Sequence, residues 1–159
     1  MNLRGIVWLC LLAVTVGVAA SSCSNESGET VRPSQGDCQP TSPNGSTPPG
    51  EASSSGHHGN GSLWTVLGPN GIIDGRAAGD ILPDGSVRVK FPWWRAVRGP
   101  LEISGDSMNG EGNIRAHIPD GYGDSGFQAS SITFPRPGCW TVRARAGSAR
   151  LTFTVLIAA

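Results

Sequence analysis

Surplus charge is the first thing this chain lacks. Twelve Lys and Arg residues cancel twelve Asp and Glu, so no global field draws nucleic acid or another polyanion toward it. Charged residues make up only 15% of the sequence, and no stretch holds a 3.6-residue apolar period over ten positions. Those two deficits exclude a coiled coil or a helical bundle. Catalytic signatures are missing as well. There is no Gly-x-Ser-x-Gly elbow, no Ser-x-x-Lys, no His-Glu-x-x-His and no phosphate-cradling glycine loop. The carboxylates Asp74, Asp80, Asp84, Glu102, Asp106 and Glu111 mostly stand beside glycine in turn-like contexts. The chain reads as a non-enzyme. What it has in abundance is 23 Gly and 12 Pro in 159 residues, the composition of a β-rich fold with many turns.

The first 22 residues read as an address. After Arg4, the run from Ile6 to Ala20 carries no charge. A helix of that length spans about 22 Å against the roughly 30 Å of a bilayer core, which suits a secretory signal better than a membrane span. Ala20-Ser21-Ser22-Cys23 follows. Small residues just before a cysteine at this place resemble the lipobox of bacterial lipoproteins, although Ala20 stands where that motif usually opens with Leu. The resemblance implies cleavage before Cys23, lipidation of its thiol and a membrane partner reached through the lipid anchor. Ordinary signal cleavage after Val18-Ala19-Ala20 is the alternative.

Residues 23–62 read as a disordered tether. Between Ser24 and Ser62 there are nine Ser, seven Gly and five Pro, with Val31 and Ala52 the only aliphatic side chains. Such a segment buries too little apolar surface to offset its ordering entropy. Three Asn-x-Ser matches, at Asn25, Asn44 and Asn60, arise from that composition.

Residues 63–159 read as strands. Leu63 to Leu67 is apolar and ends at the turn cluster Gly68-Pro69-Asn70-Gly71. Asp84-Gly85 is a hairpin-type turn, after which Val87, Val89 and Phe91 alternate on one face. Ile132 and Phe134 are in phase. The clearest pattern is at the end, where Trp140, Val142, Ala144 and Ala146 alternate with polar residues. Gly147-Ser148 then makes a two-residue loop, and Leu151, Phe153, Val155 and Ile157 alternate in turn. Eight or nine short strands in about 100 residues fit an all-β, immunoglobulin-like antiparallel β-sandwich. The antibody Cys…Trp…Cys spacing is absent.

Asp120-Gly-Tyr-Gly-Asp-Ser-Gly-Phe127, Phe134-Pro-Arg-Pro-Gly-Cys139-Trp140 and Leu151-Thr-Phe-Thr-Val, taken with Trp93-Trp94-Arg95, resemble a group of uncharacterised bacterial lipoproteins with an extracytoplasmic immunoglobulin-like domain. The resemblance covers about the last 75 residues. It implies the fold and the location, and carries no activity with it.

Four groups of residues could carry function. Cys38 and Cys139 remain once Cys10 leaves with the signal and Cys23 takes lipid; outside the cytoplasm two such thiols tend to pair. Against pairing, Cys38 sits in the tether and Cys139 could be a small buried hydrophobe beside Trp140. His57 and His58 are expected as solvated tether residues and His117 as a strand residue. With Met108 or the loop carboxylates Asp120 and Asp124 they show no spacing of Cu, Zn or Ca ligands, so no metal site or cofactor is assigned and metal handling is only the alternative function. Trp93-Trp94-Arg95 is the last and strongest group. Neighbouring strand residues face opposite ways, so one Trp points away from the core beside Arg95, to be exposed there or covered by the Arg98-Gly99-Pro100 loop, with Pro92 suggesting an edge or strand end. With Tyr122 in the glycine-rich loop from Asp120 to Phe127 this forms the expected binding surface for an envelope protein or glycan.

Overall fold

The computed structural model describes residues 38–108, 110 and 112–158. The signal, Cys23 and the first part of the expected tether lie outside the described residues. The strands are β1 (His57–Gly59), β2 (Leu63–Val66), β3 (Ile72–Asp74), β4 (Gly79–Ile81) and β5 (Val87–Arg95), then β6 (Leu101–Ser107), β7 (Arg115–His117), β8 (Gly126–Phe134), β9 (Gly138–Ala146) and β10 (Ala149–Ala158). One helical turn, α1 (Gly75–Ala78), stands between β3 and β4.

The strands form two sheets, ordered β1-β2-β5-β8-β7 with β4 also on β5, and β3-β10-β9-β6. Apolar alternation sets this arrangement. In β5 the odd residues Val87 to Arg95 turn inward, and in β8 the even residues Gln128 to Phe134 do. β9 and β10 present Trp140, Val142, Phe153 and Val155 to the same core. Aromatic rings fill its centre, with Phe91 between Phe134 and Phe153 at ring-centre distances of 6.4 and 6.2 Å. With β5 to β10 in the places of strands B to G and β2 and β4 sharing the place of A, the order is that of an immunoglobulin-like sandwich. One pair departs from the antiparallel expectation: β3 runs parallel to β10, with Ile73 opposite Ile157.

The β9–β10 hairpin has the expected register. Ala146 faces Ala149 across Gly147-Ser148, and Gly147 takes φ +53, the left-handed conformation that this tight turn requires. Asp84-Gly85 turns the chain from β4 into β5, where the Asp84 carboxylate accepts from the Ser86 amide at 3.0 Å and its hydroxyl at 2.6 Å.

The tether expectation fails over residues 38–62. Cys38 and Cys139 are joined by a disulfide across 101 positions, and the chain from Cys38 to Gly56 lies on the domain as an arm. The Thr41 amide donates to the Thr154 carbonyl at 2.8 Å, while the Thr154 amide donates to Thr41 Oγ1 at 3.0 Å. Asn44 brackets β1, its Nδ2 donating to the Gly59 carbonyl at 2.8 Å and its Oδ1 accepting from the Gly59 amide at 3.1 Å. Asn60 accepts from the Ser62 and Leu63 amides and donates to the Arg150 carbonyl. Gly71, at φ +72, lets the arm pass: a Cβ there would stand 2.5 Å from the Thr41 carbonyl oxygen. The arm has little apolar surface of its own to bury. It is held by side-chain-to-backbone hydrogen bonds and by covering apolar surface that belongs to the strands.

Candidate aromatic binding surface

Register carries one row of side chains straight across the outer face of the larger sheet. Gly59 faces Trp64, Trp64 faces Trp94, and Trp94 faces Phe127. Tyr122 continues the row from the loop before β8. The Trp94 and Phe127 ring centres are 5.4 Å apart, and those of Phe127 and Tyr122 are 6.0 Å apart, both edge to face. This is the geometry in which aromatic quadrupoles attract.

The arm covers one half of the row and leaves the other in water. Trp64 packs over Gly59, where a Cβ would come within 2.0 Å of its ring, and its Nε1 donates to Ser46 Oγ at 3.0 Å. The Trp94 Nε1 donates to Glu51 Oε1 at 2.9 Å, and the His57 ring meets the Trp94 ring at 5.6 Å. Beyond Trp94 nothing in the arm reaches. Phe127 is 47% and Tyr122 40% exposed, large apolar groups side by side on a surface where single exposed residues need no explanation but clusters do.

Trp93, Trp94 and Arg95 separate as strand geometry demands, and only the middle one belongs to this surface. Trp93 is wholly buried, its Nε1 donating to Ser130 Oγ at 2.9 Å within the core. Trp94 is half-buried on the outer face. Arg95 was expected beside the exposed Trp, yet it faces inward at the open end of the sandwich and is only 4% exposed. Its Nη1 donates to the Gly99 carbonyl at 2.7 Å and its Nη2 to the Gly123 carbonyl at 2.6 Å. Arg95 thus clamps the loop that carries Tyr122 and positions the surface without being part of it.

Phe127 is expected from the sequence only as the end of the glycine-rich loop, not as a strand residue in line with Trp94. Its signal was parity: Ile132 and Phe134 are in phase with each other and out of phase with Phe127, which leaves that ring on the opposite face. Pro92 also has a different meaning from the one expected. β5 is a central strand, but β4 pairs with Val87–Val89 and β2 with Trp93–Arg95. No residue of β2 or β4 stands opposite Lys90 to Pro92. The Pro92 carbonyl faces that gap, where it accepts from Thr65 Oγ1 at 2.9 Å. Its missing N–H therefore falls on the side that has no partner strand.

His57 and His58 are not solvated. His57 is 5% and His58 9% exposed, and neither Nδ1 has a hydrogen-bond partner. The two rings face opposite sides of β1: His57 meets Trp94 outside, and His58 meets Phe153 in the core at 6.1 Å. Burial lowers the pKa of the His58 imidazole below its ordinary 6.5, with a hydrogen bond to the Ser42 backbone acting in the opposite sense. His117 lies exposed in β7. Among the described residues no group of three or more His, Cys, Asp or Glu side chains could hold a metal ion, and no helix is long and apolar enough to cross a membrane.

Comparison of the chain with known protein families, with curated proteins and with solved structures returned no match.

Proposed function

We infer that this protein is a lipid-anchored component of a bacterial cell envelope whose sandwich, on the extracytoplasmic side, binds another envelope component, a protein or a glycan, and catalyses no reaction. The observation that carries the reading is the exposed half of the aromatic row, Trp94, Phe127 and Tyr122. Rigid rings offer contact area at a low cost in side-chain entropy, and exposed clusters of them mark binding surfaces more often than accidents of folding. The Cys23 signal supplies the location. The described residues favour no metal-handling reading, because the two histidines that would begin such a site diverge across β1.

The experiment is a retention assay. The full chain is immobilised and challenged with separate protein and glycan fractions of a solubilised envelope. The wild type should retain a component of one fraction, and Phe127→Ser with Tyr122→Ser should lose it at an unchanged melting temperature. Equal retention by the double variant would place the binding surface elsewhere.

A further inference from the structure

The gap in the larger sheet opens into a cleft of about 640 Å³. That volume lies within the roughly 300–1,000 Å³ of small-molecule sites. Topology makes it. The chain leaves β2, crosses to the other sheet to lay β3 beside β10, and returns through α1 to β4. The strands on either side of the gap are therefore joined by an arch that stands away from β5. The buried Val89, Phe91, Leu67 and Ile73 form its floor, and Pro92 of β5 with Ala77 and Ala78 of the arch present the accessible apolar surface. Ile72 borders the cleft as well and is left 41% exposed.

The polar groups at the cleft differ in how they are engaged. The Asp74 carboxylate borders it, but its Oδ1 accepts from the Arg76 and Ala77 amides at 2.9 and 3.3 Å and so caps α1. Lys90 borders it too. It is the only lysine in the chain and stands exposed on β5. Arg88, Arg143 and Arg145, by contrast, are each held in an ion pair. An apolar cleft with one uncommitted cation at its rim matches an amphiphile with one anionic head. A partner β-strand matches it poorly, because Pro92 offers no N–H on that side of β5.

We propose that this cleft binds a free fatty acid, the hydrocarbon chain against Ile72, Ala77, Ala78 and Pro92 over a floor of buried core residues, and the carboxylate at Lys90. The site is separate from the aromatic row and stands or falls independently of it.

Calorimetric titration tests the proposal on the full chain carrying Cys23→Ser, so that no covalent lipid competes. Octanoate, decanoate and dodecanoate, each below its micelle concentration, should bind with affinity rising about fourfold per added methylene. Lys90→Gln should weaken decanoate about tenfold, the scale of one charge-assisted hydrogen bond, and leave decanol unchanged. Ala78→Trp should abolish binding of both. Ile72→Asp, at an exposed position, should weaken decanoate and serves if the tryptophan variant does not fold. Absence of saturable binding, affinity independent of chain length, or insensitivity to these substitutions would overturn the proposal. So would binding confined to phosphatidylglycerol vesicles with no uptake of the free acids, which would make Lys90 a membrane contact.

Discussion

Trp93 and Trp94 are neighbours in sequence and have opposite fates, because consecutive side chains of a strand leave on opposite faces. Truncating each should separate the two roles. Trp93→Ala opens a cavity beside Phe91 and Phe153 and removes the donor to the Ser130 hydroxyl, which still donates to the Phe91 carbonyl, so a loss of about 3–5 kcal/mol in denaturant unfolding is expected, most of it from the cavity. Phe127→Ser, at an exposed position, should move stability by no more than about 0.5 kcal/mol. If Phe127→Ser instead melts the domain, the row is packing and not a binding surface. His58 gives a third prediction. Its folded-state pKa is depressed by burial, so below about pH 6.5 the unfolded chain takes up a proton that the folded chain resists. Stability should therefore fall as the pH drops from 7 toward 5 and level off once the folded imidazole also protonates. Melting curves across that range check this, and His58→Gln should flatten the slope; an unchanged slope would remove His58 as its source.

At the scale of elements, the strands and their phases were legible and the arm was not. The β9–β10 hairpin could be read from two alternating runs around Gly147-Ser148, since period-2 patterning records which face is buried. The same logic marks Phe127 as out of phase. A segment with Val31 and Ala52 as its only aliphatic side chains reads as disordered because composition reports what a segment can bury of itself. It does not report the surface of Trp64 and Trp94 that the segment covers, or a disulfide that ties it down. Pro92 was read as an edge marker; the edge is real, though it is a gap three residues long within a central strand. The arm yields its own prediction. A loop of 101 positions closed by Cys38–Cys139 is worth about 4.7 kcal/mol on chain-entropy reasoning. Cys38→Ser with Cys139→Ser should lower unfolding stability by up to that amount and open residues 38–56 to proteolysis. A domain that keeps its stability and protease resistance would mean that hydrogen bonds alone hold the arm.

For the whole molecule, the proposed lipid anchor is tested apart from the fold. Residues 38–62 lie on the sandwich and so do not serve as the free tether that their composition implies. Labelled palmitate should enter the wild-type protein, and Cys23→Ser should both lose the label and leave the membrane fraction. Label entering both forms equally would end the lipoprotein reading while leaving the fold untouched. The central claim concerns the open end of the aromatic row, and the indole N–H resonances report on it directly. On titration with the envelope fraction that the protein retains, the Trp94 indole signal should shift or broaden while those of buried Trp93 and Trp140 hold their positions. A Trp94 signal that stays fixed while binding saturates would contradict the account.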